Sequence, residues 1–325
     1  MAKPQHGAVD WDAVYTAHGQ EFLSNIPTDN FFSGNPTLDT LKADAGGYDG
    51  GAYLIEPLIM AKQTNGTSVG RGEQASLATT DPVTAAQYTI TEYVQYVSIP
   101  ALDEVKAGGM GGRLNLVETY LTNARLSGEA MISEDLWNTS QSKSTDLIGI
   151  PQLITTDGTG TIGNINASTY TWWKNKFIDT VTFATQGLDK MRQMVNDVSA
   201  GNQGFRPDLI VTTQTIYEAY LDLAEHANVI YTTPGKVQSR IADLGFTAAN
   251  YQGIPITWDP NCTSGRMYFL NKKGLKVRML GSGWELMPFE STRSNGIDAR
   301  VALLRCFVAT TVSHRRIQGQ ISTIT

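Results

Sequence analysis

The six residues that begin at Gly158 and end at Gly163 match the G-x-G-x-x-G pattern of dinucleotide-binding loops. Such a loop follows a buried strand, and a helix opens at its third glycine to receive a pyrophosphate. Here residues 164–170 follow, which are rich in Asn, Ser and Thr and carry no helical apolar stripe. The pattern therefore predicts a surface turn. An enzyme or ligand-binding α/β protein remains an alternative that would rest on this loop or on carboxylates that cannot be aligned with a known motif.

Histidine and cysteine are the next candidates for metal or nucleophilic chemistry. No two of the four histidines share metal-ligand spacing, and no CxxC, HExxH or Cys/His cluster occurs. We therefore expect no metal and no cofactor, and we expect both thiols to be free and buried or half-buried. The residues concerned are His6, His18, His226, His314, Cys262 and Cys306.

Acid–base and nucleophilic catalysis also lack a recognisable motif. No serine stands in G-x-S-x-G, and neither a Walker A sequence nor an EF-hand loop is present. The paired carboxylates Glu134 and Asp135 are expected on an exposed helical face, where solvation is the default. The chain is therefore expected not to be an enzyme, although active sites can be built from residues far apart in sequence.

An aromatic group between residues 172 and 183 is the last candidate. Nucleic acid bases stack on such side chains, but few basic residues lie nearby, so the preferred interpretation is a domain core. The aromatic residues are Trp172, Trp173, Phe177 and Phe183, and the accompanying lysines are Lys174 and Lys176.

Composition favours a protein that spends much of its exterior in contacts. Of 325 residues, 41% are hydrophobic and only 17% are charged, which is below the usual quarter, though an enzyme could share this. Residues 1–50 hold two basic and seven acidic side chains, whereas residues 266–325 hold ten basic and three acidic ones. These segments either attract each other between subunits or carry ordinary solvated charge.

No targeting or membrane segment is expected. Residues 1–12 contain no apolar stretch of a secretory signal, and no apolar run reaches membrane-spanning length. Together with the two unpaired cysteines, this suits a reducing compartment.

The elements that must position any site begin with an arm, residues 1–50, which is broken by Gly and Pro and is expected to lie on another surface.

A long hairpin is predicted after the arm. Its two strands have β patterns, at residues 52–62 and 87–99, and they flank a polar tip at 63–82. In 87–99 neither alternating face is purely apolar, so contact on both sides is expected. Because a two-stranded ribbon is marginal in water, this one is expected to need copies of the chain as cover.

A long helix is predicted at 112–138, and a mixed α/β region follows it. The helical stripe consists of Leu114, Val117, Leu121, Ala124, Gly128 and Met131. Further helices are predicted at 11–23, 187–200, 215–225 and 240–245, a strand or turn at 148–154, and strands at 208–213, 251–260, 267–271, 275–280 and 297–317.

This order of parts resembles the major capsid protein of tailed bacteriophages. The likeness covers nearly the whole chain, but it depends on the ordered set because no single motif is decisive. The segments that resemble the family are 147–154, 206–213, 215–220, 251–256, 259–260 and 267–271, with Arg315 and Gly319 suiting the closing strand.

The resemblance implies an α+β fold, the phage major-capsid fold shared with encapsulins and the herpesvirus capsid floor. Its parts are an N-terminal arm, an extended β-hairpin called the E-loop, a long spine helix, a P-domain and an A-domain. The implied boundaries are 1–50 for the arm, 51–101 for the E-loop, 102–155 for the spine helix and start of the P-domain, 156–295 mainly for the A-domain, and 296–325 for the closing P-domain strand.

The resemblance also implies a function. Copies of the chain would assemble as pentamers and hexamers into an icosahedral shell around double-stranded DNA, which they would contact weakly and without sequence preference. The implied partners are the chain itself, a separate scaffolding protein and a portal, with a decoration protein left open and no membrane. The location would be the virion, after assembly in the host bacterial cytoplasm.

Five residues are the candidates for subunit contacts. Lys62, Arg71 and Glu73 are charges near the tip of a neutral ribbon, where they are expected to form salt bridges with a neighbouring subunit; Lys62 is not expected to form an isopeptide cross-link. Phe31 and Phe32 are apolar anchors of the arm.

Two structural alternatives stand beside the phage capsid. The first is an encapsulin-type nanocompartment, which particle size and nucleic acid content would distinguish. The second and more remote one is a tail or baseplate protein, which would not place a single long helix between a hairpin and a mixed domain.

Overall fold

The computed structural model describes residues 36–43, 51, 53–62, 68–73, 81–107, 110–199, 205–229, 249–279, 283–292 and 298–325. Helices and sheets alternate irregularly, which confirms the α+β class. The helices are α1 (Pro36–Ala43), α2 (Ala101–Lys106), α3 (Met110–Leu136), α4 (Ile150–Leu153), α5 (Phe183–Ser199) and α6 (Gln214–Val229).

Fifteen strands are described, and two short 3₁₀ turns lie at Thr171–Trp173 and Arg315–Ile317. The strands are β1 (Leu54–Ile59), β2 (Val83–Tyr88), β3 (Thr91–Pro100), β4 (Thr161–Ile162), β5 (Ile165–Asn166), β6 (Lys176–Ile178), β7 (Leu209–Thr212), β8 (Asn250–Tyr251), β9 (Ile254–Trp258), β10 (Met267–Leu270), β11 (Leu275–Met279), β12 (Glu285–Leu286), β13 (Glu290–Ser291), β14 (Ala299–Val312) and β15 (Gly319–Ile321).

The predicted hairpin exists, but it is shorter than expected. Strands β1 and β2 pair antiparallel, with Leu54 opposite Tyr88 and Ile59 opposite Val83. The inner face of this ribbon is buried in the largest core cluster, so the prediction that the ribbon lacks cover of its own is wrong for that face. The buried side chains are Leu54, Leu58, Ala86 and Tyr88.

The segment predicted as the returning strand of the hairpin is divided between two sheets. Strand β2 ends at Tyr88, and β3 pairs with β14, from Thr91 opposite Val308 to Pro100 opposite Ala299. The prediction that 87–99 pairs with 52–62 is therefore wrong beyond Tyr88. Alternation in a strand reveals its two faces but not its partner, because any strand of matching register satisfies the same pattern.

The predicted alternation of β3 is confirmed, and one of its two faces is covered by the chain itself. One face is buried, and it carries Thr91, Tyr93, Val97 and Ile99. The opposite face is exposed, and it carries Glu92, Val94, Tyr96 and Ser98.

Helix α3 begins two residues before the predicted start and ends at Leu136. Its predicted stripe is buried from Val117 to Gly128, but Met131 is 42% exposed. The buried face continues instead through Ile132 and Leu136, because steps of four after Gly128 stay on that face. Gly128 itself lies against the indole of Trp284, which leaves no room for a Cβ.

Strand β14 organises a five-stranded sheet. It pairs with β3 along one edge and with β13, β12 and β11 in turn along the other. Helix α3 packs on this sheet through Val117 and Leu121, which contact a cluster that includes Val97, Ile99 and Leu304.

A six-stranded sheet forms the other layer, in the order β6-β15-β10-β7-β9-β8. Strands β7 and β10 are buried at every residue, because α5 and α6 cover one face and the largest core cluster covers the other. Uninterrupted apolar strands are typical of such central positions. Across the two sheets, the strands and helices predicted between 187 and 280 are confirmed to within a few residues, except that 240–245 lies outside the described residues.

The arm is described only at α1, and that part packs on the body of the same chain. Leu38 and Leu41 are buried there, and the Thr37 hydroxyl donates a 2.8 Å hydrogen bond to Asp259. For α1, the surface on which the arm lies is therefore the body of the same chain. The helix predicted at 11–23 lies outside the described residues.

The predicted terminal strand is interrupted. Strand β14 ends at Val312, and a 3₁₀ turn separates it from β15. Arg315 in that turn is fully buried, and burial lowers the pKa of its guanidinium to about 10, so it stays charged at neutral pH. It donates five hydrogen bonds to the oxygens of Leu153, Thr155, Gly158, Thr159 and Trp173.

The Gly158 loop is a turn, as predicted, and opens no helix. Gly163 and Asn164 both have positive φ, 60° and 64°, and link β4 to β5 as a tight hairpin turn. The loop is not purely superficial, however, because a Cβ on Gly163 would lie 2.7 Å from that of Ala86 in β2. The glycine supports the ribbon by close approach of backbones.

Candidate assembly surfaces

The outward face of the β1–β2 ribbon is apolar and exposed. Ile55, Ile59 and Val83 are 60%, 81% and 57% exposed, and Ile59 stands directly opposite Val83. Pro57 and Ala85, a cross-strand pair, lie between them on the same face. Covering this face would remove apolar area from water at about 25 cal/mol per Å².

The base of the ribbon is held firmly by the rest of the chain. The Tyr88 hydroxyl donates a 2.7 Å hydrogen bond to the Val312 carbonyl, and burial raises the pKa of Tyr88 above its usual range. Glu56 forms an ion pair with Arg278 of β11. The outward face is therefore presented by an anchored element, which lowers the entropy that a partner must remove on binding.

A second apolar surface lies on the exposed face of the β3–β14 sheet. Tyr96 is 69% exposed and stands opposite Leu303, and Val94 stands opposite Arg305. The Arg305 guanidinium lies 5.6 Å from the centre of the Phe307 ring. In the described part of the chain β3 pairs with β14 alone, so its other edge carries no strand there.

Helix α2 continues this surface from the end of β3. Leu102 and Val105 are 62% and 71% exposed, whereas Glu104 points inward and pairs with Arg300 at 2.9 Å. The helix thus turns two large aliphatic side chains to solvent while its acidic side chain anchors it to β14. Such grouped apolar exposure is typical of interaction surfaces.

The structure leaves the predicted contact residues without a tested role. Lys62, Arg71 and Glu73 are all exposed, and Glu73 accepts a 2.8 Å hydrogen bond from the Gly70 amide, which closes the tip turn. Phe31 and Phe32 lie outside the described residues. The salt bridges with a neighbouring subunit stay a prediction.

The apolar surfaces were not singled out from sequence. The sequence did indicate one of them, because alternation places Val94 and Tyr96 on the same strand face as Glu92 and Ser98. Those two polar side chains are typical of a face that is exposed to solvent. The sequence indicated the exposed face of the ribbon less clearly, since Ile55 and Ile59 are equally typical of a buried core. Which side a strand turns to solvent depends on packing that a local pattern does not specify.

No three His, Cys, Asp or Glu side chains in the described part of the chain lie close enough together to hold a metal. Cys262 and Cys306 are buried and form no disulfide bond with each other, as predicted, and burial raises the pKa of the Cys262 thiol. A thiol held neutral is a poor nucleophile.

Asp135 has a partner, contrary to the prediction of a solvated carboxylate pair. The Tyr93 hydroxyl donates a 2.7 Å hydrogen bond to its carboxylate. Burial, followed by the hydrogen bond to this anion, raises the pKa of Tyr93. The contact joins β3 to the end of α3, which is a structural use of the side chain.

Among the described helices, none is both long enough and apolar enough to span a bilayer.

Comparison with known proteins identifies the fold. No family model and no curated protein match the chain. A chain of the cyanophage A-1(L) capsid asymmetric unit is similar with a TM-score of 0.66 at 15% identity, over 90% of this chain and 93% of that one. A capsid chain of the native GTA particle gives 0.58 at 10% identity over 87% and 89%.

A chain of the virus-like particle from Pyrococcus furiosus is also similar, with a TM-score of 0.53 at 10% identity over 97% of this chain and 100% of that one. The chain therefore has the fold of phage major capsid proteins, as the order of its parts predicted.

Proposed function

We propose that this chain, which has the capsid-protein fold, is the major capsid protein of a tailed phage. Copies assemble as pentamers and hexamers into an icosahedral shell that encloses the double-stranded DNA genome. The role is structural and not enzymatic. The proposal is supported by similarity to capsid chains along nearly the full length of this one.

The observation that carries the proposal is the anchored ribbon with an apolar outward face. Ile55, Ile59 and Val83 would be costly to leave in water on a monomer, and they project from a base that the chain holds by itself. A neighbouring copy that covers this face repeats the contact around a ring, because every subunit presents the same surface. Each contact is modest, and many of them together stabilise a shell.

The named parts of the family follow from this proposal. Residues 1–50 serve as the arm, 51–101 as the E-loop, 102–155 as the spine helix and the start of the P-domain, 156–295 mainly as the A-domain, and 296–325 as the closing P-domain strand. Pairing of β3 with β14 means that the projecting part of the E-loop segment ends at Tyr88.

The proposed partners are copies of the chain, a separate scaffolding protein, a portal and, where the shell is decorated, a decoration protein. DNA inside the shell is contacted weakly and without sequence preference, because strong phosphate contacts would hold it during packaging. Assembly takes place in the host bacterial cytoplasm, and the mature location is the virion.

Electron microscopy of the purified full-length protein tests the proposal. We expect closed, uniform particles, with or without a co-expressed scaffolding protein, and pentamers or hexamers as their precursors. Particles from infected cells should contain double-stranded DNA. A chain that stays monomeric at high concentration under both conditions would contradict the proposal.

An encapsulin-type nanocompartment is the second candidate. It is supported by the fold, which also builds a particle from Pyrococcus furiosus that is described as virus-like and whose chain the likeness covers completely. Native particles of this kind would hold a cargo protein and little nucleic acid. Nucleic acid content of particles from the source cells therefore separates the two candidates.

A further inference from the structure

A cleft of ≈ 620 Å³ lies between the 3₁₀ turn at Thr171–Trp173, the start of β6, α5 and the second 3₁₀ turn. Its size falls within the range of small-molecule sites. It lies apart from the β1–β2 ribbon and the β3–β14 surface. The lining side chains that matter below are Trp172, Lys174, Lys176, Phe177, Asp197 and Arg316.

Two aromatic rings are available in this cleft. Phe177 is 46% exposed, and Trp172 is half-buried with its ring 5.6 Å from that of Trp173. The predicted aromatic core is therefore only partly right, because Trp173 and Phe183 are buried in two different clusters. Trp172 and Phe177 instead line the wall of a cavity, where a flat ligand can stack on them.

Three basic side chains line the same cleft as the two rings. Lys174, Lys176 and Arg316 line the cleft, and among the described residues none of them forms an ion pair. Among the described residues that line the cleft, Asp197 is the only acidic one. The excess of positive charge next to exposed rings favours a ligand with an anionic group attached to an aromatic one.

The wall of the cleft is fixed before any ligand arrives. Arg315 donates to the carbonyl of Trp173 at 3.4 Å and to that of Gly158 at 3.5 Å. The Phe177 ring packs on Gly158, whose φ is +70° and where a Cβ would lie 3.3 Å from the ring. Asn175 donates 2.8 Å and 3.1 Å hydrogen bonds to the carbonyls of Thr155 and Lys176.

The two adjacent arginines thus have different positions. Arg315 is buried and binds the carbonyls of Gly158 and Trp173, whereas Arg316 is exposed and lines the cleft. A preformed site loses less entropy on binding than one that must be ordered.

We propose that this cleft binds a nucleotide unit, with the base stacked on Trp172 or Phe177 and the phosphate held by Lys174, Lys176 and Arg316. The inference goes beyond the proposed shell function and does not depend on it, since it concerns the single chain. The ligand is a free nucleotide or one unit of a single strand, because bases in a duplex are already stacked and paired.

Fluorescence anisotropy with a labelled short oligothymidylate tests the proposal on the purified full-length chain. We expect binding that weakens as salt is raised, and an abasic strand of equal length should bind about tenfold less tightly because it keeps the phosphates and lacks the bases. Thymidine monophosphate, titrated by calorimetry, reveals whether a free nucleotide suffices. Equal binding of the abasic strand, or of an acidic peptide, overturns the proposal.

Two pairs of variants locate the site. Trp172→Ala should weaken oligonucleotide binding about tenfold, whereas Trp172→Phe should retain most of it because a ring remains. Arg316→Ala should lower the slope of log affinity against log salt by about 0.7, and the exposed Lys273→Ala should leave it unchanged.

If Trp172→Ala folds poorly, the comparison of Arg316→Ala with Lys273→Ala still tests the proposal, because both of these side chains are exposed. Thermal unfolding confirms that each variant is folded. Binding by Arg316→Ala that equals the wild type in affinity and in salt dependence overturns the proposal.

Discussion

Arg278 of β11 forms an ion pair with Glu56 of β1, and the two side chains are only 20% and 12% exposed. The contact joins residues 222 positions apart and ties the ribbon to the five-stranded sheet. Together with the hydrogen bond from Tyr88 to Val312, it anchors the ribbon to the body of the chain, so it is the first contact to test.

Arg278→Ala should destabilise the unassembled chain by about 1–3 kcal/mol, because it leaves the half-buried carboxylate of Glu56 without its partner. Chemical denaturation measures the change in the free energy of unfolding. The matched control is Arg305→Ala, which breaks a 2.8 Å pair with Glu285. Those side chains are 34% and 61% exposed, so the loss should be less than about 1 kcal/mol. Equal losses in the two variants would contradict the assigned role of the first pair.

Ile59→Asp should abolish shell assembly while the chain stays folded, because its side chain is 81% exposed on the outward face. Its neighbour Leu58 is 7% exposed and points into the core. Leu58→Asp should therefore unfold the ribbon and cost several kcal/mol, about 3 or more, since it buries a charge. Electron microscopy and thermal unfolding separate the two effects. Normal particles from Ile59→Asp would remove the ribbon face from the assembly proposal.

Tyr93→Phe should reduce the loss of stability at alkaline pH. The folded chain holds the pKa of Tyr93 above its ordinary value of 10.0, whereas the unfolded chain does not. Above pH 10.0 the unfolded state therefore releases a proton that the folded state keeps, and stability falls as pH rises. Removing the hydroxyl removes this contribution.

Denaturation curves recorded across the alkaline range measure how steeply the free energy of unfolding falls with pH. At neutral pH the same variant should lose about 1 kcal/mol, the worth of its hydrogen bond to Asp135. Tyr96→Phe, three residues along β3 and 69% exposed, should leave neutral stability unchanged. An unaltered alkaline slope in Tyr93→Phe would show that other groups govern it.

Gly128→Ala should destabilise α3 although alanine is the better helix former. Helix propensity alone would favour alanine by about 1 kcal/mol. A Cβ at this position overlaps the Trp284 indole, and such overpacking costs about 1–3 kcal/mol, so the steric effect should win. Ser127→Ala, exposed on the same helix, is the control and should be neutral or slightly stabilising. A gain in melting temperature for Gly128→Ala would contradict the packing.

Arg315→Met should cost about 3 kcal/mol or more. The variant loses five hydrogen bonds from one charged group, and their acceptors stay partly buried without a donor. This loss is expected to exceed the free energy that is gained by no longer burying a charge. Arg316→Met, at the adjacent and exposed position, should change the free energy of unfolding by less than about 0.5 kcal/mol. Similar stability of the two variants would show that the hydrogen bonds of Arg315 do not stabilise the fold.

Local elements were predictable from sequence because local periodicity reflects them. The stripe of α3 from Val117 to Gly128 and the two faces of β3 were identified correctly, since the 3.6-residue and two-residue periods require only neighbouring residues. The turn at Gly158 was identified because no helical pattern follows it. The order of elements then sufficed to predict the capsid-protein fold.

The tertiary structure alone decided the long-range pairings and the surfaces built from them. Strand β3 pairs with β14, about two hundred residues away, and not with β1 as the hairpin prediction required, because its buried face must meet the core that α3 and β14 create together. The same packing turns Ile55 and Tyr96 to solvent and Arg315 inward. Burial is a property of the whole folded chain, so no local pattern determines which apolar face is covered and which waits for a partner.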